Sequence, residues 1–164
     1  MNMTRDEFRR ALGCFATGVA VITVARNNGT FHGMTANAFT SVSLSPPLVL
    51  VCIDHDSRTP PLLHARKRFG VNVLAQNQRA IAKHCARTEK DDDDAPRPGA
   101  RFTQTEAVTP MLEGCLAYLN SRVVSAQGAG DHTIFVGEAE QVVVREDEPL
   151  LFYAGKCRTI SAEL

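Results

Sequence analysis

The sequence lacks an excess of charge of either sign. Its 164 residues include 18 basic and 18 acidic side chains, so the formal net charge is zero. General nucleic-acid binding requires a surplus of Lys and Arg clustered on one face, and the sequence contains no such cluster. We therefore expect no nucleic-acid partner. With 44% hydrophobic residues, the composition is typical of one globular domain over residues 1–164.

The sequence also lacks a membrane segment and a disulfide framework. No run approaches the roughly 20 apolar residues that span a bilayer. The apolar stretch 12–25 follows Asp6 and Glu7, where a secretory signal would carry basic residues. The five cysteines are scattered and odd in number, which indicates reduced thiols. We expect a cytoplasmic protein with no membrane partner.

Several catalytic motifs are missing as well, namely the phosphate-loop lysine, the nucleophile-elbow serine and the metalloprotease His-Glu pair. The segment Gly128-Ala129-Gly130 has no third glycine, so a Rossmann nucleotide fold is unsupported. The adjacent His84 and Cys85 would point to different faces of a helix, so we expect no metal site. The sequence therefore offers no side-chain cluster for acid, base or nucleophilic catalysis.

The beginning of the chain has the pattern of a helix followed by strands. A capping box formed by Thr4 and Glu7 predicts a short amphipathic helix, which we expect to end near residues 17–18. The β-branched segment 19–24 predicts a strand, and the Asn-Gly pair that follows it predicts the tight turn of a hairpin. The chain is thus expected to enter an antiparallel sheet early.

The middle of the chain alternates strands with helices. The continuous apolar run 48–53 is typical of a strand buried on both faces. Thr59 followed by proline predicts the N-cap of a helix, and Asn77 predicts the cap of another. Residues 87–101 are polar, contain four consecutive aspartates and two prolines, and indicate a mobile surface loop.

The last part of the chain returns to strand patterns, over residues 115–124, 133–144 and 150–153. Strands joined by hairpins, with short helices inserted between them, are typical of an α+β fold. We therefore predict an α+β domain built on an antiparallel barrel.

Five ordered motifs carry a likeness to a known family. The motifs are GMTANAFTSVS (residues 33–43), PPLVLVCI (46–53), FGVNVL (69–74), GDHTIFVG (130–137) and PLLFY (149–153). In this order they resemble the short-chain flavin reductases, the reductase partners of two-component flavin-dependent monooxygenases. The likeness runs from the first helix to Ile160.

The resemblance implies a fold and an activity. The fold is the FMN-binding split barrel, an antiparallel split β-barrel with inserted short helices, in a homodimer with flavin near the subunit interface. The activity is reduction of FMN or FAD by NADH or NADPH, with direct hydride transfer from nicotinamide C4 to flavin N5. Because the hydride passes between cofactors, no catalytic side chain is required and the protein aligns the two ligands. The reduced flavin would serve a partner monooxygenase.

The same resemblance implies which residues bind the two ligands. Short uncharged side chains in the first motif suit the edges of a flavin ring and its ribityl hydroxyls. The flavin-binding residues are Thr35, Ala36, Asn37, Ser41, Val42, Ser43, Cys52, Ser57 and Thr59. The nicotinamide-nucleotide-binding residues are His132 and Arg158. The sequence departs from the family at Ala38, where serine is frequent, and at Cys157, where an aromatic is common.

Residues 54–59 form a candidate phosphate loop between a buried strand and a helix that begins with proline. Free N–H groups and the hydroxyls of Ser57 and Thr59 could receive a flavin phosphate there, and Arg58 adds positive charge. Thr59 could instead serve as the helix cap. Both roles are compatible with the sequence.

Four other candidate residues also have a purely structural interpretation. Thr35 could satisfy its own strand and turn, and Cys52 could fill the core instead of contacting flavin through its backbone. His132 could bond to the neighbouring Asp131 rather than to a nucleotide. Arg158 could belong to a solvated basic tail.

Two other functions are compatible with the same scaffold, since a fold alone never fixes function. One is a non-enzymatic split barrel that binds flavin or another small ligand. The other is an electron-transfer flavoprotein with tightly held FMN. Oxidation of NADH with added flavin tests the first, and yellow colour retained after dialysis tests the second.

Overall fold

The structure is a computed structural model that describes residues 3–87, 100–105 and 108–160. The described ranges contain three α-helices, α1 Arg5–Gly13, α2 Thr59–Arg66 and α3 Arg79–Cys85, and a short 3₁₀ helix, Gln76–Gln78. The strands are β1 Thr17–Gly18, β2 Ala20–Ala25, β3 Phe31–Ala36, β4 Phe39–Leu44, β5 Pro47–Asp54, β6 Arg68–Val73, β7 Phe102–Thr105, β8 Val108–Leu112, β9 Ala117–Ala129, β10 His132–Val144, β11 Leu151–Tyr153 and β12 Lys156–Arg158. None of these helices is long and apolar enough to cross a membrane.

Seven of the strands form one antiparallel sheet in the order β3-β2-β6-β9-β10-β5-β4. The two edge strands β3 and β4 are joined by Asn37 and Ala38 alone. Since three Cα steps span at most about 11 Å, the ends of the two edges must lie close together. A hydrogen bond from the Cys52 N–H to the Ala38 oxygen, 3.0 Å long, ties this junction to β5. The predicted antiparallel barrel is confirmed. We call the junction between β3 and β4, residues 36–43, the seam.

Two apolar clusters hold the barrel together. The first fills the inside of the seven-stranded sheet, and the second lies between that sheet, α3, β8 and the small sheet β1-β11-β12. The largest fully buried members of the first are Phe69, Phe135, Ile22, Ile53 and Leu63, and those of the second are Tyr118, Leu74, Leu112 and Leu150. Burial of this apolar area is the main favourable term in folding.

The first helix has the predicted capping box, in which the Glu7 N–H donates to Thr4 Oγ1 and the Thr4 N–H donates to the Glu7 carboxylate. The prediction of its end was wrong. α1 ends at Gly13, and residues 17–18 form β1, which pairs with β11. Residues 17–18 instead pair with a strand more than a hundred residues later, a contact that local sequence patterns do not specify.

Two other local predictions were wrong. Arg58, not Thr59, precedes α2, and Thr59 is its first residue. Asn77 lies in the 3₁₀ helix, and Gln78 takes the place before α3. In both cases a tertiary contact decides: Thr59 contacts His32 of β3, and the Gln78 amide nitrogen donates to the Glu113 oxygen over 2.9 Å.

The strand expected to be buried on both faces, β5, alternates instead. Val49, Val51 and Ile53 lie in the core, and the residues between them are half-exposed. In a barrel one face of each strand lines the interior and the other faces outward. The half-exposed face of β5 therefore lies outside the core, next to the seam. The loop predicted over 87–101 falls mostly outside the described residues.

Gly137 gives the fold a testable close contact. A Cβ at this position would lie 2.6 Å from two ring carbons of Phe69 and 3.0 Å from Ser121 Cβ. We expect Gly137→Ala to lower the free energy of unfolding by about 1–3 kcal/mol, the usual cost of overpacking a core, as measured by urea denaturation. The control is Gly128→Ala on the paired strand, where a Cβ meets nothing within 4 Å. Equal stability of the two variants would contradict the packing of Phe69 on Gly137.

Candidate functional site

The seam exposes a row of short side chains. Asn37, Ser41 and Val42 are exposed, Ser43 is half-buried, and Ala36 is buried at the end of β3. The pairing of β4 with β5 shifts register between Ser41 and Ser43, so Val42 is the extra residue of a bulge. Bulges redirect side chains at sheet edges, and here the bulge breaks the regular alternation along the predicted flavin motif. Asn37 and Ser41 present polar groups to solvent at this place.

Other hydroxyls of the motif are engaged inside the protein. Thr35 Oγ1 donates to the Ala82 oxygen of α3 over 2.7 Å, and Ser43 Oγ accepts from the Ser45 N–H over 3.2 Å. Thr35 therefore has a structural role that anchors α3 to β3. Its oxygen keeps lone-pair capacity, since a hydroxyl accepts as well as donates.

Cys52 lies on the half-exposed face of β5. Burial raises the pKa of its thiol, so the side chain stays protonated at neutral pH and behaves as a small apolar group. Its N–H is committed to the Ala38 oxygen. The expected backbone contact with flavin can therefore not use this N–H, which instead holds the seam in place.

Within the candidate phosphate loop, residues 54–58 are held by hydrogen bonds of their backbone N–H groups. Asp54 Oδ1 accepts from the Asp56 N–H over 2.8 Å, and the Asp54 carbonyl accepts from the Ser57 N–H over 3.2 Å. The His55 N–H donates to the Asp131 oxygen over 3.0 Å. The prediction of free N–H groups in this loop was thus wrong for residues 55–57, because an Asx turn, the Asp54 carbonyl and the turn before β10 use them.

Ser57 fits an anionic ligand better than the backbone does. Its Oγ is buried and has no hydrogen-bond partner within the part of the chain that the structure describes. Buried hydroxyls are nearly always paired, so this hydroxyl is suited to donate a hydrogen bond to an acceptor atom of a bound ligand. The exposed Arg58 adjoins it with a positive charge, while the Asp54 carboxylate is turned toward the loop's own amide. A phosphate oxygen matches this set of groups.

His132 opens β10 directly after a turn in which Gly130 has φ +64°. Its Nδ1 lies 2.7 Å from Asp131 Oδ1, and Asp131 Oδ2 lies 3.9 Å from the Arg5 guanidinium. The hydrogen bond from His132, its charge and Arg5 lower the pKa of Asp131. An ionised carboxylate only accepts, so Nδ1 carries a proton, and Nε2 is the ring nitrogen that Asp131 does not engage. The structural pairing foreseen for Asp131 therefore also fixes which nitrogen can face a ligand.

The lowered pKa of Asp131 has a definite sign for stability. A carboxyl whose pKa is lower in the folded chain contributes stability above its ordinary pKa, and that contribution is lost as the pH falls through the lowered value. Asp131 is exposed and His132 is half-buried, so the effect of this pair on folding is small.

Strand pairing brings His132 to the phosphate loop. His132 stands opposite Asp54 in the β5–β10 ladder, and the bond from His55 to Asp131 fastens the two segments together. Arg158 is not brought to this place by the sheet. It lies exposed on β12, where it pairs with Leu151 of the small sheet.

Sequence reasoning missed one buried group next to the site. His32 of β3 is 8% exposed, and its Nε2 lies 2.9 Å from Oγ1 of Thr59. Thr59 Oγ1 also donates to Met34 Sδ over 3.2 Å. The one signal for this contact is the position of His32 directly before the first flavin motif. Thr59 therefore faces the core side of the loop.

Comparison with known proteins identifies the family. The model of the flavin reductase like domain matches residues 12–161. An NADH-dependent flavin reductase of a Rhodococcus species is 41% identical over 161 residues, which cover 97% of this chain and 88% of that protein.

Solved structures agree with this match. An NADH:FAD oxidoreductase of Streptomyces globisporus, solved with NAD and FAD fragments, has a TM-score of 0.87 and 38% identity, covering 96% of this chain and 93% of that one. The styrene monooxygenase flavin reductase of Pseudomonas putida has a TM-score of 0.85 and 35% identity, covering 96% and 99%. The resemblance stated from the motifs is confirmed: the chain belongs to the family of proteins with a flavin reductase like domain.

Proposed function

We propose that this protein is an NADH-dependent flavin reductase that reduces FMN or FAD and supplies the reduced flavin to a monooxygenase component. Relatives from several bacteria are named as NADH-dependent reductases of FMN or FAD, and some as reductase subunits of flavin-dependent monooxygenases. The observation that carries the proposal for this chain is the pairing of His132 with Asp54. It places the candidate nucleotide residue beside the candidate flavin phosphate loop.

The residues around the loop and seam have distinct roles in this proposal. Asn37 and Ser41 face the flavin ring and ribityl chain, and Ser57 with Arg58 receives its phosphate. When both ligands are bound, the dihydronicotinamide supplies a hydride that the flavin accepts. The protein contributes alignment, which alone can account for a large part of a rate enhancement.

His132 and Arg158 belong to the nucleotide side of the proposal. His132 offers Nε2 to the nicotinamide nucleotide because Asp131 holds its Nδ1. Arg158 would bind a nucleotide phosphate from the small sheet. The exposed, short side chains of the seam favour weak flavin binding, so flavin behaves as a substrate that leaves after reduction.

The proposal includes a homodimer and a cytoplasmic location, with residues 1–164 as one domain. Apolar side chains stand exposed on two strands, with Leu44 94% exposed on β4 and Val144 73% exposed on β10. β10 pairs with β5 as far as Glu138. Beyond Glu138, the edge of β10 on the side of β5 is offered to a second copy. Free thiols at all five cysteines are typical of a reducing compartment.

The purified protein should oxidise NADH only when FMN or FAD is present, because no side chain can accept a hydride. The measurement is the loss of NADH absorbance by protein stripped of flavin, with and without each flavin added. Flavin binding without NADH oxidation would contradict the reductase proposal and favour a binding protein. Yellow colour that survives dialysis would contradict the proposal that flavin is a diffusible substrate.

A further inference from the structure

The start of α2 is fixed by a side chain that does not face the loop. Thr59 is fully buried, and its hydroxyl lies 2.9 Å from His32 Nε2 and 3.2 Å from Met34 Sδ. His32 and Met34 alternate along β3 and so share one of its faces. When Nε2 carries the proton, Thr59 Oγ1 accepts from His32 and donates its own hydrogen to Met34. The first residue of α2 is thereby tied to β3.

This tie has little support from the usual helix-start contacts. Arg58, which precedes α2, makes no side-chain capping bond within the described chain. Pro60 and Pro61 follow Thr59, and proline has no N–H to offer in the first turn. The Thr59 side chain and the imidazole that contacts it therefore form a direct tie between the start of α2 and β3, beside the burial of Leu63 in the core.

We propose that His32 is a positioning residue for the phosphate of the flavin. Through Thr59 it holds the junction between the loop and α2, and so it sets where Ser57 Oγ and the Arg58 guanidinium stand. Ser57 lies two residues before Thr59, and its buried Oγ has no hydrogen-bond partner among the described residues. The inference rests on the proposed function, since it assumes that the flavin phosphate binds at residues 57–58.

The predicted effect is selective for the phosphate. FMN and riboflavin share the ring and the ribityl chain and differ in the phosphate group alone. A change at His32 that moves the loop should weaken binding of FMN and leave riboflavin almost unaffected. A general loss of packing would weaken both ligands together.

The experiment measures dissociation constants of FMN and riboflavin by quenching of flavin fluorescence, together with the melting temperature of each variant. For His32→Ala we expect the FMN constant to rise about five- to tenfold, the scale of a lost buried hydrogen bond, and the riboflavin constant to change by less than about twofold. His32→Gln, which returns an N–H donor, should recover most of the FMN affinity.

Two further variants separate the hydrogen bond from the packing. Thr59→Val keeps the side-chain shape and removes the hydroxyl, so it should show the same selective loss even if His32→Ala fails to fold. His64→Ala is the matched control, because His64 is an exposed histidine of α2 whose ring packs on Phe135 at 5.2 Å between centroids. It should leave the ratio of the two constants unchanged.

Ser57→Ala distinguishes failure of this inference from failure of the proposed phosphate site. Selective loss of FMN affinity in Ser57→Ala, with unchanged ratios in His32→Ala and Thr59→Val, would overturn the role of His32 alone. An unchanged ratio in all three variants would place the phosphate elsewhere and overturn both proposals. Equal weakening of FMN and riboflavin by Thr59→Val would assign His32 to packing and also overturn the inference.

Discussion

Replacing His132 by Ala should raise the KM for NADH about tenfold and leave the flavin dissociation constant, measured without nucleotide, within about twofold of the wild-type value. The reason is the orientation of the ring. Asp131 accepts from Nδ1 over 2.7 Å, so Nε2 is the nitrogen presented beside the phosphate loop. The measurement combines steady-state NADH kinetics with a flavin titration and a melting curve.

The variant Asp131→Asn tests the same arrangement from the other partner. An amide can still accept from Nδ1 but carries no charge, so the KM for NADH should rise less than in His132→Ala. His64→Ala serves as the histidine control. A fall in melting temperature with parallel loss of both ligands would show instead that His132 supports the entry of β10. Normal stability and unaltered kinetics for both ligands would remove His132 from the site.

Local sequence rules predicted the elements whose contacts are local. The capping box of Thr4 and Glu7 bonds groups three residues apart, and the Asn-Gly turn after β2 closes with the Arg26 N–H donating to the Thr30 oxygen. Such contacts depend on neighbouring residues alone, so the sequence is enough to predict them. Thr59 failed the same kind of rule because its partner His32 is 27 residues away.

In the candidate site, too, local contacts were predicted from the sequence and long-range contacts were not. The pairing of His132 with Asp131 joins adjacent residues and was foreseen as one of two interpretations. Ser57 Oγ is buried, and His132 pairs with Asp54, because of the way β5, β10 and α2 meet. The periodicity of the sequence does not specify how these elements meet. The resemblance to flavin reductases supplied the approximate place of the candidate site, and we propose that the contact of β3 with α2 supports it.

The exposed apolar face of α1 shows a third limit of prediction from the sequence. The spacing of Phe8, Leu12 and Phe15 predicts an amphipathic helix, and the helix forms over Arg5–Gly13, yet Phe8 and Leu12 are exposed. Phe15 lies two residues beyond the end of the helix and is 77% exposed. Every residue of α1 is at least partly exposed. A periodic pattern predicts that a face is apolar, but it does not state whether the same chain covers that face.

Replacing Asn72 by Ala should lower the free energy of unfolding by about 2–4 kcal/mol, because it leaves several buried polar groups without partners. Asn72 is fully buried on β6. Its amide nitrogen donates to the Val21 oxygen over 3.1 Å and to Thr23 Oγ1 over 3.2 Å, and its oxygen accepts from the Leu112 N–H over 2.7 Å. One side chain thus joins β2, β6 and β8.

The measurement is urea denaturation at equilibrium, with Asn77→Ala as the matched control. Asn77 is an exposed asparagine of the 3₁₀ helix, and its loss should change stability by no more than about 0.5 kcal/mol. The slope of the denaturation curve should stay constant if both variants unfold from the same native state. A loss in Asn72→Ala no larger than that in Asn77→Ala would mean that Asn72 contributes no net stability, and that other contacts of β8, such as the bonds of Thr109 to Tyr118 and Asn120, hold it to the barrel.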